Sequence, residues 1–331
     1  MNKVTIISYH YVRDLKNSRF PEMKALDLKN FIGQIDYLSK YYHYITMEDF
    51  IESIEGRKSL PKNSLLLTFD DGYSDHYLNA FPVLFNKGIQ GSFFIPSAPV
   101  QEKKILDVNK IHLLLAKSLA DSSFQKLYKD IWKLIEKYQK TYELKSLEYY
   151  RNIKFPGNGL DTEEVIFIKR MLQSELPYSC RKVILDELFE EYLGVSERVI
   201  NNELYVNQDQ ISTMLKSGMH IGSHGHEHFW LHTLTYEEQE QDLRKSLSFL
   251  IESGVNPDTL TICYPYGSYN ETTIEILKKM NFKLGFIDPS VTGIAELTEK
   301  NRFEFPRIDT IDFPYSGDSD SSKWTLELLK N

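Results

Sequence analysis

The stretch Leu65-Leu66-Leu67-Thr68-Phe69-Asp70-Asp71-Gly72 carries an apolar run that leads directly into two adjacent carboxylates and a glycine. A continuous apolar run of this kind predicts a short strand of a parallel sheet that is buried on both faces. Neighbouring side chains of a strand point to opposite sides, so Asp70 and Asp71 can share one site only where the strand ends and the backbone turns at Gly72. A plain strand-ending turn is the alternative, because Asp-Gly is common turn chemistry.

A second segment, His220-Ile221-Gly222-Ser223-His224-Gly225-His226-Glu227-His228, holds four of the 9 histidines in the chain. Neutral imidazole is the commonest metal ligand among side chains that titrate near neutral pH. His224 and His228 are four residues apart, so we expect them to share one face of a helical turn. Two histidines and a carboxylate form a three-ligand set that leaves a catalytic metal ion one or two open positions. The cluster therefore favours a metal site over a group of surface histidines in a turn.

Two motifs in these segments resemble those of the polysaccharide deacetylases, the NodB-homology or carbohydrate esterase 4 family: Thr68-Phe69-Asp70-Asp71-Gly72 and Ser223-His224-x-x-x-His228. A third segment, Tyr264-Pro265-Tyr266-Gly267, is similar to the third motif of the poly-N-acetylglucosamine deacetylase branch. Three motifs in the family's order are a more specific signal than Asp-Asp-Gly alone. The resemblance covers roughly residues 1–100 and 205–312, and it implies an α/β fold of the distorted (β/α)7-type barrel class.

The resemblance implies a site in which Asp71, His224 and His228 hold one divalent metal ion while Asp70 acts as the general base. Such an ion polarises the amide carbonyl and lowers the pKa of its bound water from 15.7 toward about 7. Two nitrogen ligands and one oxygen ligand suit zinc, and cobalt, nickel or iron would also bind this set. The resemblance further implies that the backbone N–H of Tyr266 stabilises the tetrahedral oxyanion.

The general acid does not follow from these motifs, because the chain departs from the family pattern. No histidine follows His232, so the usual C-terminal Leu-x-His motif is absent. The pair Tyr9-His10 matches a pattern of the poly-N-acetylglucosamine branch, in which a histidine after the first strand lies near the metal. We therefore favour His10 as the general acid, with His226 and His232 as alternatives, and a protein without catalytic activity as a further one.

A second departure concerns the residue that orients the base. Cys263 stands where the third motif usually has an arginine. Arg307, in the segment Pro306-Arg307-Ile308-Asp309, is a candidate to orient Asp70 from the last strand in place of that arginine. A structural salt bridge is an equally good interpretation of Arg307.

Several aromatic residues near the motifs are candidates for substrate binding, because the C–H face of a sugar ring is apolar and packs on aromatic rings. Simple packing in the core is the more common use of such residues. The candidates are Tyr73, Trp230, Tyr264 and Tyr269, of which Trp230 is preferred.

Strand and helix patterns alternate at both ends of the chain, which predicts a parallel sheet or barrel. The predicted strands cover residues 4–9, 64–69, 91–95, 219–223, 260–264, 283–287 and 303–308. The predicted helices cover residues 27–42, 47–54, 75–87, 207–216, 236–253 and 271–280.

The middle of the chain shows only helical periodicity, so we predict a helical insertion over residues 101–206. It would divide one barrel domain into residues 1–100 and 207–315, and residues 316–331 would form a polar, loosely ordered tail. The insertion could modify substrate recognition at the barrel rim, or it could be a structural or dimerisation module.

Composition narrows the function classes. A net charge of -8, from 39 basic and 47 acidic residues, argues against broad nucleic-acid binding. We expect the 2 cysteines, Cys180 and Cys263, to be reduced buried thiols. The N-terminus lacks the apolar run of a signal peptide, and no apolar segment predicts a transmembrane helix. We therefore expect a cytoplasmic enzyme, whose substrate could lie at the inner membrane face.

The resemblance implies a metal-dependent hydrolase that removes an N-acetyl group from an amino sugar. The expected substrate is a cell-surface glycan, its lipid-linked precursor or a nucleotide sugar. Two alternatives stay open. One is a carbohydrate-binding relative without activity, which the absent Leu-x-His motif favours and the intact Asp and His motifs oppose. The other is a deformylase or amidohydrolase of a small amide.

Overall fold

The computed structural model describes residues 3–157, 161–289 and 292–329. The chain divides into two compact units. The first consists of Met1–Asp14, Ala25–Lys103 and Asn202–Asn331, and the second of Leu15–Lys24 and Lys104–Asn201. None of the described helices combines the length and the apolar composition that a transmembrane span requires.

A sheet of nine strands forms the centre of the first unit. The described residues form eleven strands, nine in this sheet and two in a separate pair: β1 (Lys3–Tyr9), β2 (Val12–Arg13), β3 (Leu26–Asp27), β4 (His43–Tyr44), β5 (Ser64–Phe69), β6 (Gly91–Ile95), β7 (His220–Ser223), β8 (Thr261–Cys263), β9 (Leu284–Phe286), β10 (Ala295–Glu296) and β11 (Ile308–Asp309). The order is β10-β1-β5-β6-β7-β8-β9, with β11 beside β1 and β4 beside β5, while β2 and β3 pair separately. Every pair in the large sheet is parallel except β1 with β10.

The chain after β9 returns to the first strand and curls the sheet. Phe305 bridges Phe286 of β9 in parallel, and Ile308 of β11 pairs with Ile7 of β1. The predicted barrel-type α/β fold is therefore confirmed. The predicted last strand, 303–308, is wrong in its extent, because Pro306 has no N–H to donate and regular pairing resumes only at Ile308.

Fourteen α-helices accompany these strands in the described parts of the chain: α1 (Leu28–Tyr41), α2 (Met47–Ile54), α3 (Phe81–Asn86), α4 (Ser97–Glu102), α5 (Asp107–Ala120), α6 (Phe124–Tyr138), α7 (Leu147–Asn152), α8 (Glu163–Arg170), α9 (Tyr178–Leu193), α10 (Glu197–Leu204), α11 (Gln208–Lys216), α12 (Tyr236–Glu252), α13 (Glu271–Lys279) and α14 (Lys323–Leu329). Helix starts follow capping chemistry: Asn207 and Thr235 each form a capping box at the start of α11 and α12. The predicted helix over 75–87 begins instead as a π-helical turn, His76–Ala80, that leads into α3.

Side chains of β5 alternate between two cores, as strand geometry requires. One core lies between the sheet and the helices and takes Leu65, Leu67 and Phe69. Leu66 joins the other core, in which it packs with Ile6 of β1 and Phe286 of β9. Because that core collects side chains from around the curled sheet, it fills the barrel interior. Thr68 and Asp70 continue the Leu66 row, so Asp70 lies at the C-terminal end of the interior column.

The second unit is helical and has a core of its own. Apolar side chains of α5, α6, α8 and α9 form that core, which includes Ile111, Leu127, Ile131, Ile168, Leu185 and Leu188. Cys180 lies in this core as a free, buried thiol, and Cys263 is a free, buried thiol of the first unit, so the prediction of two reduced thiols is confirmed.

The described part of the segment 316–331 is not the loosely ordered tail that its composition predicts. This segment contains helix α14, in which Thr325 is fully buried. Its Oγ1 lies 2.9 Å from the hydroxyl oxygen of Tyr37 in α1 and 3.0 Å from that of Tyr42. Leu328 is buried in the main core. These contacts tie the segment to the fold because three polar groups bury their hydroxyls against one another.

Candidate active site

The carboxylates after β5 reach one site through a turn that begins one residue earlier than the sequence predicts. The amide N–H of Asp70 still bonds the Tyr9 carbonyl, at 2.9 Å, in the manner of the strand. Asp71 has a φ of 73° and Gly72 a φ of 63°, so the backbone is left-handed at both. Aspartate tolerates this region better than most residues, and a Cβ at Gly72 would lie 2.9 Å from Ile95 Cγ2. The turn at Asp71 itself therefore brings both carboxylates to the same end of the barrel.

The histidine segment is an irregular loop after β7, so the expected helical turn is wrong. Left-handed backbone at Gly225 (φ 70°) and His228 (φ 59°) folds the loop back on itself. The rings of His224 and His228 nevertheless meet, with centroids 4.8 Å apart. The loop conformation, and not helical spacing, brings the two rings together.

Asp71, His224 and His228 converge at one point. Asp71 Oδ1 lies 3.3 Å from His224 Nε2 and 3.2 Å from His228 Nε2. All three residues are buried, and their ligand atoms form one compact group. Within the described chain, Asp71 Oδ1 has no hydrogen-bond partner of good geometry, which is unusual for a buried carboxylate oxygen.

The donor set fits a metal ion. His224 Nδ1 lies 2.7 Å from the Cys263 carbonyl oxygen, which can only accept, so Nδ1 carries a proton, and in the neutral imidazole Nε2 then presents a lone pair. A buried carboxylate oxygen facing two imidazole nitrogens at 3.2–3.3 Å is a set of atoms that a small divalent cation would satisfy together. Asp71, His224 and His228 are therefore the residues that could hold a metal ion.

Asp70 lies next to this set and is held by Arg307. Arg307 donates from Nη1 to Oδ1 at 2.9 Å and from Nη2 to Oδ2 at 2.6 Å, and both side chains are almost fully buried. The guanidinium also donates to Thr68 Oγ1 and to the Ile287 carbonyl. The sequence-based expectation that Arg307 contacts Asp70 matches this geometry. The Cys263 thiol lies 3.4 Å from Asp70 Oδ2, where it can donate a weak hydrogen bond.

The electrostatics keep both carboxylates ionised. Burial alone would raise the pKa of Asp70, but the charge of Arg307, aided by His224 and His10, lowers it to about 2. Burial opposes ionisation of Asp71 as well, yet the adjacent imidazoles of His224 and His228 hold its pKa well below the usual range. Burial lowers the pKa of His228, whereas the two aspartates outweigh burial at His224 and raise its pKa.

The three histidines considered as general acids differ in position. His10 Nε2 lies 3.9 Å from Asp70 Oδ2, and the His10 side chain is 43% exposed, so it is near the base and open to a substrate. Both ring nitrogens of His226 are engaged, Nδ1 with Ser97 Oγ at 2.7 Å and Nε2 with Glu102 Oε1 at 2.9 Å. This buried side chain is built into the fold, which argues against a role in proton transfer.

The third candidate, His232, is anchored elsewhere. Its Nδ1 lies 2.7 Å from Ser268 Oγ, and its backbone N–H bonds the same oxygen. Among the described residues, His10 is the one of the three whose ring lies within ion-pair distance of Asp70.

Asp242 is a site residue that sequence reasoning missed. From α12, its carboxylate accepts the backbone N–H of His226 at 2.8 Å and that of Glu227 at 2.9 Å. Asp242 is buried, and burial raises its pKa. The contact fixes the loop that carries the histidines, and only the tertiary packing of α12 reveals it.

The aromatic candidates separate into buried and accessible rings. Tyr73 is fully buried and donates its hydroxyl to Asp71 Oδ2, and Tyr264 is buried and donates to the Phe303 carbonyl. Neither presents a ring face to a sugar, so their assignment to substrate binding is wrong for this conformation.

Trp230 is partly exposed, and its ring stacks on that of Tyr266 with centroids 4.4 Å apart and an interplanar angle of 7°. Tyr266 in turn meets the His228 ring edge to face at 4.6 Å.

Comparison with known proteins supports the class that the fold and this geometry indicate. A family model described as polysaccharide deacetylase matches residues 185–285. The chain is 33% identical over 85 residues to the poly-beta-1,6-N-acetyl-D-glucosamine N-deacetylase of Escherichia coli (strain K12). It is 29% identical over 86 residues to YxkH of Bacillus subtilis (strain 168). These matches cover 25% and 26% of this chain, but only 12% and 30% of the two relatives' own lengths.

Solved structures extend the likeness of fold to nearly the whole chain. The Streptococcus pyogenes deacetylase PplD matches with a TM-score of 0.56 and 16% identity, over 99% of this chain and 97% of that one. The BpsB deacetylase domain of Bordetella bronchiseptica matches with a TM-score of 0.53 and 17% identity, over 93% and 95%. The resemblance to the polysaccharide deacetylases, and to their poly-N-acetylglucosamine branch, is thus confirmed.

Proposed function

We propose that this chain is a metal-dependent N-deacetylase that hydrolyses the N-acetyl group of an amino sugar. The observation that carries the proposal is the convergence of Asp71, His224 and His228 beside a second buried carboxylate, that of Asp70. A purely structural cluster has no need of an unpaired buried oxygen between two imidazoles. Zinc suits the ligand set best, and cobalt, nickel or iron would also bind it.

When bound, a divalent cation would supply Lewis acidity that polarises the amide carbonyl and acidifies water. The chain's own groups would do the rest. Asp70 would accept the proton of the attacking water, and Arg307 would keep its carboxylate ionised and in a fixed plane. The backbone N–H of Tyr266 would donate to the developing oxyanion.

The leaving nitrogen needs a proton, because an amine anion is a very poor leaving group. His10 is our candidate for this step, since it lies 3.9 Å from Asp70 and is partly exposed. Asp70 would thus take the proton of the water, and the neighbouring His10 would give a proton to the leaving nitrogen. This arrangement replaces the family's absent Leu-x-His motif with a histidine that follows β1.

The substrate class follows from the relatives. One is named for deacetylating poly-beta-1,6-N-acetyl-D-glucosamine, so we propose an N-acetylglucosamine-containing glycan, its lipid-linked precursor or a nucleotide sugar. Trp230, stacked on Tyr266 beside His228, is the aromatic residue that we assign to the sugar ring.

The Asp70→Asn variant tests whether the chain is a catalyst or a carbohydrate-binding relative. If it is an enzyme, wild type releases acetate from N-acetylglucosamine oligomers, and the variant keeps its metal while turnover falls by about 10²–10⁴-fold. Glycan binding by a wild type that releases no acetate from any acetylated sugar would favour the binding relative. Release of formate from a formylated amine, without release of acetate, would favour a deformylase.

A further inference from the structure

The two oxygens of the Asp71 carboxylate have different surroundings. Oδ1 faces the Nε2 atoms of His224 and His228. Oδ2 accepts the hydroxyl of Tyr73 at 2.6 Å, a short charge-assisted hydrogen bond. The carboxylate therefore presents one oxygen to the histidines and has its other oxygen occupied by a phenol.

Packing holds Tyr73 rigidly in this position. Its side chain is fully buried, and its ring stacks on that of Tyr11 with centroids 3.8 Å apart and an interplanar angle of 14°. The backbone of Tyr73 forms an antiparallel bridge with Tyr205, and the Val206 N–H bonds the Gly72 carbonyl at 2.9 Å. The phenol therefore cannot leave Asp71 without moving the segment that follows the Asp-Asp-Gly turn.

We propose that Tyr73 is a positioning residue that restricts Asp71 to a single metal-ligating oxygen. The proposal rests on the proposed function, because it needs a metal ion between Asp71, His224 and His228. A carboxylate that gives one oxygen leaves the ion a position for water and substrate, whereas one that gives two oxygens would fill it. Tyr73 thus acts on the reaction through the coordination number of the ion and does not touch the substrate.

Removal of the hydroxyl would change two measurable properties. Asp71 Oδ2 would lose its donor inside the protein, and the carboxylate could rotate to offer both oxygens. Removal of a group that hydrogen-bonds to a metal-ligating side chain typically changes metal affinity by about 10–100-fold. The coordination number would also rise, and the visible absorption of bound Co²⁺ weakens as its coordination number rises.

The Tyr73→Phe variant, made in the full chain, provides the test, since phenylalanine keeps the ring and its stacking on Tyr11. Metal-free protein would be titrated with Co²⁺ and followed by visible absorption, and Zn²⁺ affinity would be measured by competition with a chelating dye. Tyr9→Phe is the matched control, because it removes a buried tyrosine hydroxyl that donates to Gln34 at 2.7 Å, away from the metal ligands.

We expect Tyr73→Phe to give a weaker Co²⁺ spectrum, because a second oxygen of Asp71 reaches the ion, and to change Zn²⁺ affinity by about 10–100-fold, while Tyr9→Phe matches wild type in both. An unchanged Co²⁺ spectrum in Tyr73→Phe, with one ion bound by wild type, would overturn the role of Tyr73 alone, whatever the Zn²⁺ affinity. Failure of wild type itself to bind Co²⁺ or Zn²⁺ would overturn the proposed function and this inference together.

Discussion

Arg307 donates to both carboxylate oxygens of Asp70, with Nη1 2.9 Å from Oδ1 and Nη2 2.6 Å from Oδ2. The pair is buried, so neither charge is compensated by bulk water. Such a bidentate pair fixes the plane of the carboxylate as well as its charge. The third motif of the family usually has an arginine at the position of Cys263, and here the last strand region supplies the guanidinium instead.

Loss of Arg307 should therefore destabilise the fold. We expect Arg307→Met to lower the free energy of unfolding by about 3–5 kcal/mol, because it leaves the Asp70 carboxylate buried without its partner. We expect the double variant Arg307→Met/Asp70→Asn to regain at least half of that loss, because no buried charge is left. Urea unfolding of the wild type, both single variants and the double variant measures the coupling.

Arg244→Met is the control for this cycle. Arg244 pairs with Glu240 on the surface of α12, so its replacement should cost about 1 kcal/mol or less. Equal losses in the single Arg307 variant and the double variant would show that Arg307 stabilises the fold through contacts other than Asp70.

A second prediction concerns the general acid. We expect His10→Ala to lower turnover of N-acetylglucosamine oligomers by about 10²–10⁴-fold without loss of metal. The same variant should lose far less activity on an aryl acetate, because a phenolate leaves without being protonated. Rates on both substrates, with metal content determined on the same samples, measure the difference.

His232→Ala is the comparison variant, since His232 is anchored on Ser268 and, within the part of the chain that the structure describes, forms no ion pair with Asp70 as His10 does. It should keep wild-type activity on both substrates. A selective loss on the amide in His232→Ala, with His10→Ala unaffected, would assign the acid to His232.

Asp242 gives a third prediction, about the loop that carries the metal ligands. Its two oxygens accept the N–H groups of His226 and Glu227, and Asp242→Asn would turn one acceptor into a donor facing an N–H. We expect a loss of about 1–3 kcal/mol in the free energy of unfolding. We also expect Zn²⁺ affinity to fall by about 10-fold, because the loop positions His224 and His228.

The control makes the same chemical change on the outer side of α12. Glu240→Gln removes a carboxylate that pairs with Arg244 on the surface, and it should change stability by about 0.5 kcal/mol or less. A destabilised Asp242→Asn with unchanged Zn²⁺ affinity would mean that Asp242 supports the fold and not the site.

A fourth prediction concerns stability at acid pH. Burial lowers the pKa of His220 to about 4, and His220 Nε2 lies 2.8 Å from Thr261 Oγ1 inside the fold. The unfolded chain, with an ordinary histidine pKa of about 6.5, binds more protons between these two values. The neutral His220 therefore makes its full contribution to the free energy of unfolding above pH 6.5. This contribution is lost as the pH falls toward 4, with a slope of up to about 1.4 kcal/mol per pH unit.

Urea unfolding of wild type and His220→Asn at about half-unit steps from pH 7 to 4.5 isolates this contribution. We expect the stability of the variant to fall less steeply in this range than that of wild type. His43→Asn, which replaces an exposed histidine, should parallel wild type. Parallel curves for wild type and His220→Asn would show that His220 does not contribute to the acid sensitivity.

The sequence predicts the bounds of a strand correctly where a single apolar run covers the whole strand. The apolar run of β5 and the β-rich run of β6 have the predicted bounds, Ser64–Phe69 and Gly91–Ile95, because burial on both faces leaves no competing pattern. The end of the chain was harder to predict. Thr325 and Leu328 become buried only through contact with distant residues such as Tyr37, and this is not encoded in local polarity.

At the site, residue types are more predictable than geometry. The three motifs select the residues that converge at Asp71, but helical spacing gives the wrong conformation for the His224 to His228 loop. The roles of Asp242 and Tyr73 depend on contacts between distant segments or on a left-handed turn, which periodicity cannot reveal. A buried aspartate on an otherwise charged helix, such as Asp242, carries no sequence signal of its contact.

The most direct test of a catalytic metal ion held by Asp71, His224 and His228 is metal analysis of purified wild type and His228→Ala, with acetate release from N-acetylglucosamine oligomers and nucleotide sugars measured on the same samples. We expect one ion per wild-type chain, and we expect the variant to lose this ion together with acetate release. Wild-type protein that binds no ion, or a variant that keeps full acetate release without one, would contradict this expectation.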